Sequence, residues 1–450
     1  MPDPASEPDG PDPKVRALVV LRVASPDFER WMAAVHASGC CAQPVRLSGK
    51  VLSVDPQSGQ LELVYTTGVQ PDRVLLKACG TRRATRCPAC AAMYRGDAKT
   101  LLRAGLDGDD GDGDGETALS PLVFMTLTAP SFGAVHRATD PPRSCRPTAT
   151  PPVCRHLRLQ TCGQVHLRGE PPTGEALCPE CYDYQSAVIF NARAGELWRR
   201  TLIAAQRQLA GRAAIPVRAF GAHWRISYAK VVEFQARGVV HLHAMVRLDQ
   251  LDRGQGSELG GDDLAAALGA AAARAAAPNP LHPDRAIRWG AQTDIEIIDA
   301  GSRRKTVAYL AKYATKSVDG AGLLDRRLRS GNIDHLDLPD QLKTMAEVAW
   351  DLGGRPDLKG LNLRAWAHSL GWRGHWLTKS AHWSTTFANL RAGRRTWRLE
   401  QLGITPEEAA ARWGEWDYQG SGYLNAGDAW LAANANRAAK LNRRTAWEET

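Results

Sequence analysis

The segment Val231-Val-Glu-Phe-Gln-Ala-Arg-Gly-Val-Val-His-Leu-His243 leaves this chain few local choices. β-Branched residues alternate on both sides of a break at Gly238. The spacing predicts two strands joined by the three-residue loop Ala236-Arg237-Gly238, with glycine supplying the left-handed position. In that register Gln235 faces Val239, Glu233 faces His241, and strand parity puts His243 on the same face. Two imidazoles and a carboxylate then converge, a donor set that suits Mn²⁺ or Mg²⁺ with water in the remaining positions. An ordinary pair of strand histidines beside a solvated glutamate is the competing reading of so short a pattern.

A second segment, Thr306-Val-Ala-Tyr-Leu-Ala-Lys-Tyr-Ala-Thr-Lys316, has helical spacing. Tyr309, Lys312, Tyr313 and Lys316 stand at i, i+3, i+4 and i+7 and share one face, opposite Val307, Leu310, Ala311 and Ala314. Two phenols interleaved with two ammonium groups suit attack on a phosphodiester. A phenol with a pKa of about 10 is a poor nucleophile until cations stabilise its phenolate, and lysines also hold the phosphate and the leaving oxygen. The alternative is an amphipathic surface helix whose tyrosines pack at the core margin.

Lys and Arg outnumber Asp and Glu by 57 to 48 in 450 residues, which favours a nucleic-acid partner without specifying chemistry. No apolar run approaches the roughly 20 residues of a membrane span, and Met1 to Lys14 is Pro/Asp-rich, so a cytoplasmic protein with no membrane partner is expected. Ten cysteines are odd as disulfides in that compartment. Cys87-Pro-Ala-Cys90 and Cys178-Pro-Glu-Cys181 are knuckles of the zinc type, and Cys79, Cys154, His156 and Cys162, with Cys145, offer further ligands. Whether the knuckles share one structural Zn²⁺ or each heads its own is open. From Arg364 to Arg395, cations alternate with Trp366, Trp372, Trp376 and Trp383. Such a surface can bind origin or single-stranded DNA, unless the tryptophans are core.

Residues 1–15 read as a disordered lead and 16–104 as a β-rich region with a zinc knuckle, Val15 to Val23 and Gly49 to Tyr65 being strand candidates. The Asp/Gly run at 105–118 reads as a flexible loop. A domain at 119–320 follows, with a Cys-rich insertion at 140–181, and then a basic, Trp-rich helical region at 321–450. The fold class expected is α+β, with a central antiparallel sheet and flanking helices, a zinc-stabilised N-terminal region and a helical C-terminal region.

His241-Leu-His243 followed by Tyr309-Leu-Ala-Lys-Tyr313 resembles the HUH endonuclease superfamily of rolling-circle initiators, relaxases and transposases. The wider layout is similar to the RepSA-type initiators of actinobacterial plasmids and integrative elements. It includes Cys79 with the first knuckle, Thr126-Leu-Thr-Ala-Pro-Ser-Phe-Gly133, Cys178-Pro-Glu-Cys-Tyr-Asp-Tyr184 and Gly374-His-Trp-Leu-Thr-Lys-Ser380. The resemblance implies an HUH-type sheet and nicking of origin DNA by a tyrosine, leaving a 5′-phosphotyrosine and a 3′-hydroxyl for a host polymerase, with a host helicase as a further partner. It assigns Tyr313 and Tyr309 as nucleophiles and Lys312 and Lys316 to the phosphate. His241 and His243 become metal ligands, with Glu233 as the third. Leu122 to Thr128 matches a strand motif of structural role. A transposase or relaxase with the same chemistry stays open, as does a zinc-dependent DNA-binding regulator without catalysis.

Overall fold

The computed structural model describes residues 11–55, 58–107, 120–252, 258–319, 327–329, 333 and 335–448, with 314–319 and 440–448 described through the backbone alone. Most of the expected lead (1–15) and of the Asp/Gly run (105–118) therefore lies outside the described residues. The chain opens with α1 (Pro13–Val23), α2 (Phe28–Ala37), β1 (Val45–Val54), β2 (Leu61–Thr66), β3 (Leu75–Lys77) and α3 (Pro88–Asp107). Next come β4 (Leu122–Leu127), β5 (Ser144–Arg146), β6 (Cys162–Val165), α4 (Tyr184–Arg212), α5 (Phe220–His223), β7 (Trp224–Phe234) and β8 (Val240–Gln250). Then follow α6 (Gly261–Arg274), β9 (Thr293–Ile297), α7 (Arg303–Asp319), α8 (Asp340–Leu352), α9 (Leu363–Trp366) and β10 (Leu377–Lys379). The chain closes with α10 (Phe387–Gln401), α11 (Pro406–Ala410), β11 (Arg412–Ser421) and α12 (Ala426–Glu448). The fold is α+β and its strand pairs are antiparallel, as expected. No helix among the described residues is long and apolar enough to cross a membrane.

Two compact units emerge: residues 1–97 with 386–450, and residues 98–385. In the first, the chain's two ends share one sheet, because β1 pairs with β11 from Val45↔Ser421 to Ser53↔Arg412. Sequence patterning set these segments apart as 16–104 and 321–450, and read the second as helical. A strand whose partner lies more than 350 residues away leaves no local signal beyond the aromatic alternation Trp416-X-Tyr418. Residues 15–23, expected as a strand, are helical instead. Asp12 Oδ1 accepts from Lys14 N at 2.8 Å and Pro13 opens the first turn, which is an N-cap and a preset φ in one step. That helix is tied down by Arg22, which bonds Asp428 at 2.8 Å and Asp72 at 3.0 Å and lies 4.9 Å from the Trp31 ring.

The second unit is built on a five-stranded sheet of order β10-β7-β8-β4-β9. One face carries Val123, Met125, Leu127, Val232, Phe234, Val240, Leu242, Ala244 and Val246, all buried in a core shared with α4 and α6. The other face carries Glu233, His241, His243 and Thr126, in adjacent rows of the ladder. Asn191 of α4 is fully buried and joins helix to hairpin. Its Nδ2 donates to the carbonyls of Gly238 and Leu370, both at 2.9 Å, and its Oδ1 accepts from Val240 N at 2.9 Å. Gly238 has φ 79°, and a Cβ there would come within 2.5 Å of Met345 Sδ, so both backbone and packing demand glycine.

Asn191→Leu keeps the branched heavy-atom shape but strands one N–H and two carbonyls in the core. At about 1–3 kcal/mol per orphaned group, the expected loss is on the order of 3–5 kcal/mol. Urea unfolding of the purified chain checks it; a loss below about 1 kcal/mol would show that the asparagine does not pin the hairpin.

Candidate active site and metal-binding groups

The register of the β7–β8 pair is the one that the segment predicts. Gln235 N donates to Val239 O at 2.9 Å, Glu233 stands opposite His241, and His243 stands opposite Val231. Arg237, at the hairpin tip, donates to the carbonyls of Pro130 at 2.9 Å and Ala129 at 3.1 Å, which ties the turn to the chain leaving β4. Backbone pairing thus aims the three side chains before any ligand is present.

Their polar atoms are arranged as donors awaiting an acceptor of electron pairs. Thr126 Oγ1 lies 3.1 Å from His243 Nδ1, and His243 Nε2 lies 3.8 Å from Glu233 Oε2. His243 Nε2 and His241 Nδ1 are buried without a hydrogen-bond partner, which is costly unless something binds there. The His241 and His243 rings are 4.6 Å apart. Burial pushes His241 down to about 4, the neighbouring His243 adds to this, and Glu233 opposes it. The imidazole is therefore neutral at neutral pH and keeps a lone pair, the form a cation needs. Two imidazoles and a carboxylate on one sheet face are the donor types that a divalent ion takes.

Helix α7 brings the tyrosines to the same place. Val307, Leu310 and Ala311 are buried, as the helical spacing predicts, while Tyr309 is exposed and Tyr313 half-buried. The Tyr313 ring is 4.6 Å from the His243 ring and the Tyr309 ring is 6.2 Å away. Tyr313 donates its hydroxyl hydrogen to the Tyr309 oxygen at 3.0 Å. Phe124 of β4 packs on both His243 and Tyr309, at 5.8 and 5.7 Å. Lys312 is exposed, and the Lys316 side chain lies outside the described residues. Sequence reading took the β4 motif as structural only. It missed the contact of Thr126 with His243, because pairing of β4 with β8 decides which strand neighbours that histidine.

The cysteines sort into three groups, each with four ligand atoms within 4.8 Å of one another, and each could hold a metal ion such as zinc. Cys41, Cys79, Cys87 and Cys90 form the first, with Cys41 Sγ 3.8 Å from Cys87 Sγ and 3.7 Å from Cys90 Sγ. His136, Cys145, Cys162 and His166 form the second, with His166 Nε2 3.2 Å from His136 Nδ1 and 3.3 Å from Cys162 Sγ. Cys154, His156, Cys178 and Cys181 form the third, with His156 Nδ1 3.2 Å from Cys181 Sγ. The two knuckles thus head separate groups and do not share one. Sequence reading left out Cys41, His136 and His166. Cys162-Gly-Gln-Val-His166 carried a readable Cys-X3-His spacing, whereas Cys41 and His136 have no knuckle partner nearby.

Trp372 and Trp383 are buried, Trp372 with Lys230 Nζ 5.5 Å from its ring and Trp383 with the Arg247 guanidinium 5.3 Å away. Those two tryptophans are core, and the exposed arginines of this stretch include Arg364, Arg373, Arg391, Arg394 and Arg395.

Comparison with known proteins assigns the family. Residues 27–437 match the family described as RepSA, replication initiator protein, pSAM2. A replication initiator protein of Streptomyces ambofaciens is 39% identical over 460 residues, covering 95% of this chain and 94% of its own length. No solved structure matches the chain. Since the match spans both units and is sustained end to end, the chain belongs to the RepSA family of replication initiators.

Proposed function

We propose that this initiator nicks and rejoins one DNA strand at its origin by tyrosine transesterification of the HUH type, starting rolling-circle replication of a plasmid or integrative element in the cytoplasm. The observation that carries this reading is the packing of Tyr313 and Tyr309 against His243, on the sheet face that also bears His241 and Glu233. A divalent ion such as Mn²⁺ or Mg²⁺, held by His241, His243 and Glu233, would polarise an oxygen of the scissile phosphate. Tyr313 attacks phosphorus through its phenolic oxygen, the bond to the 3′ oxygen breaks, and that oxygen leaves with a proton as the 3′-hydroxyl. The 5′ end stays on the tyrosine. Its hydrogen bond to Tyr309 gives the phenolic proton a first acceptor, and Tyr309 is placed to act on a second phosphate after synthesis. Lys312 and Lys316 supply positive charge to the phosphate and leaving oxygen. A host polymerase, with a helicase, takes over at the free 3′ end.

Thr126 has a positioning role, since its contact with His243 Nδ1 keeps Nε2 turned toward Glu233. Each cysteine group holds one structural Zn²⁺ in this reading. The Pro-rich stretch from 140 to 181 has little apolar content, so two of the three ions substitute for a core there.

Single-stranded origin DNA labelled at either end, incubated with the protein and Mn²⁺, should yield a covalent protein–DNA adduct on a denaturing gel. Tyr309→Phe with Tyr313→Phe should lower the adduct by about 1,000-fold or more, with Tyr313→Phe alone the more damaging single change. Persistence of the adduct in the double variant would exclude these nucleophiles. Origin binding without adduct under any divalent ion would favour a zinc-dependent regulator.

Metal analysis of the purified chain should find about three zinc ions, and Cys87→Ser, Cys162→Ser and Cys178→Ser should each remove about one. Two ions in the parent, or no change in a variant, would mean that the corresponding group is not a zinc site.

A further inference from the structure

Helix α10 (Phe387–Gln401) buries none of its side chains, so the core does not explain its presence. It is nonetheless held firmly at one end. Thr386 Oγ1 caps it by accepting from Asn389 N at 3.1 Å. The Phe387 ring stacks on Tyr94 at 5.3 Å and 16°, and Arg394 donates to both oxygens of Asp97, one of them at 2.8 Å. Tyr94 in turn carries the Arg82 guanidinium 4.8 Å from its ring. Arg82 belongs to the loop Gly80-Thr-Arg-Arg-Ala-Thr-Arg86, which the first cysteine group brackets through Cys79 and Cys87. One stacked series, Arg82 to Tyr94 to Phe387, therefore joins a cysteine-bracketed basic loop to the foot of a basic helix. All of these residues lie in the unit formed by residues 1–97 and 386–450.

Along α10, Arg391, Arg395 and Arg398 fall at i, i+4 and i+7. At 100° per residue they occupy an arc of about 60° and a length of about 10 Å. All three are exposed, and among the described residues none has an ion-pair partner. Glu400 is the helix's one acidic residue. Trp397, 59% exposed, is its one large aromatic in solvent. Three guanidiniums to one aromatic suit phosphate charge and not a run of stacked bases, which would need a series of rings.

We propose that α10, with the arginines of the 80–86 loop beside its foot, is a docking surface for the phosphate backbone of duplex DNA, distinct from the nicking centre. It rests on the family's role at an origin and not on the tyrosine chemistry. The surface supplies affinity and register through phosphates, the part of recognition that depends most steeply on salt.

The test uses the full chain, a fluorescent origin duplex and a random duplex of the same length, with anisotropy measured from 50 to 200 mM KCl. Arg391→Ala, Arg395→Ala and Arg398→Ala combined should weaken binding to both duplexes by roughly 10-fold or more and flatten the slope of log K against log salt by about 2–3, near 0.9 per lost phosphate contact. Arg395→Gln alone, at an exposed position, should flatten it by about 0.9 and covers the case in which the triple variant fails to fold. Thermal melting and zinc content check folding. Adduct formation on a single-stranded oligonucleotide reads the tyrosine centre separately, so the two proposals can fail independently. Unchanged affinity and slope in both variants would overturn the docking surface. Losses confined to a fluorescent single-stranded probe, titrated in parallel with the duplexes, would overturn the duplex assignment and make α10 a single-strand site.

Discussion

Everything at the candidate active site depends on how one hairpin turns. Gly238 takes a left-handed conformation that only glycine enters cheaply, and its space is closed by Met345, Leu342 and Leu370. Asn191, fully buried in α4, then donates to that glycine's own carbonyl and accepts from the amide of Val240. A slip of one residue would move Glu233, His241 and His243 to the core face and expose Val232, Val240 and Leu242. The asparagine and the turn make that slip expensive twice over, by stranding backbone groups and by inverting the burial pattern. The donor set is thus a consequence of register.

Around this fixed pair the fold adds elements in order of distance. Strand β4 supplies Thr126 beside His243 and Phe124 beside Tyr309, and its far face fills the core with Val123, Met125 and Leu127. Helix α7 repeats the division of labour, with Val307, Leu310 and Ala311 inward and the phenols against His243. The insertion between β4 and α4 has too little apolar content to fold by burial. Its two cysteine–histidine groups, if loaded with zinc, substitute metal–ligand bonds for a core. In the other unit, a small sheet with no buried residue in β1, β2 or β11 is assembled from the chain's two ends. Arg22 ties α1 to α12 through Asp428, which is itself 1% exposed.

The sequence by itself determined the hairpin, the facing of Glu233 and His241, and the shared face of Tyr309 and Tyr313. Each rests on interactions within about a dozen residues, where periodicity and one glycine leave few alternatives. The knuckles were legible for the same reason. Tertiary structure alone decided which cysteines group together, because Cys41 joins Cys79, Cys87 and Cys90 across 38 to 49 residues with no local spacing to announce it. It also decided that Thr126 touches His243, across 117 residues of chain. The pairing of β1 with β11 is the extreme case, joining Arg46 to Gly420. Residues 15–23 show the converse: an apolar run reads as strand until the cap at Asp12, the proline behind it and the ion pairs of Arg22 settle it as helix. Local hydrogen bonds write themselves into short patterns, whereas contacts closed over hundreds of residues are chosen by packing, which no short pattern records.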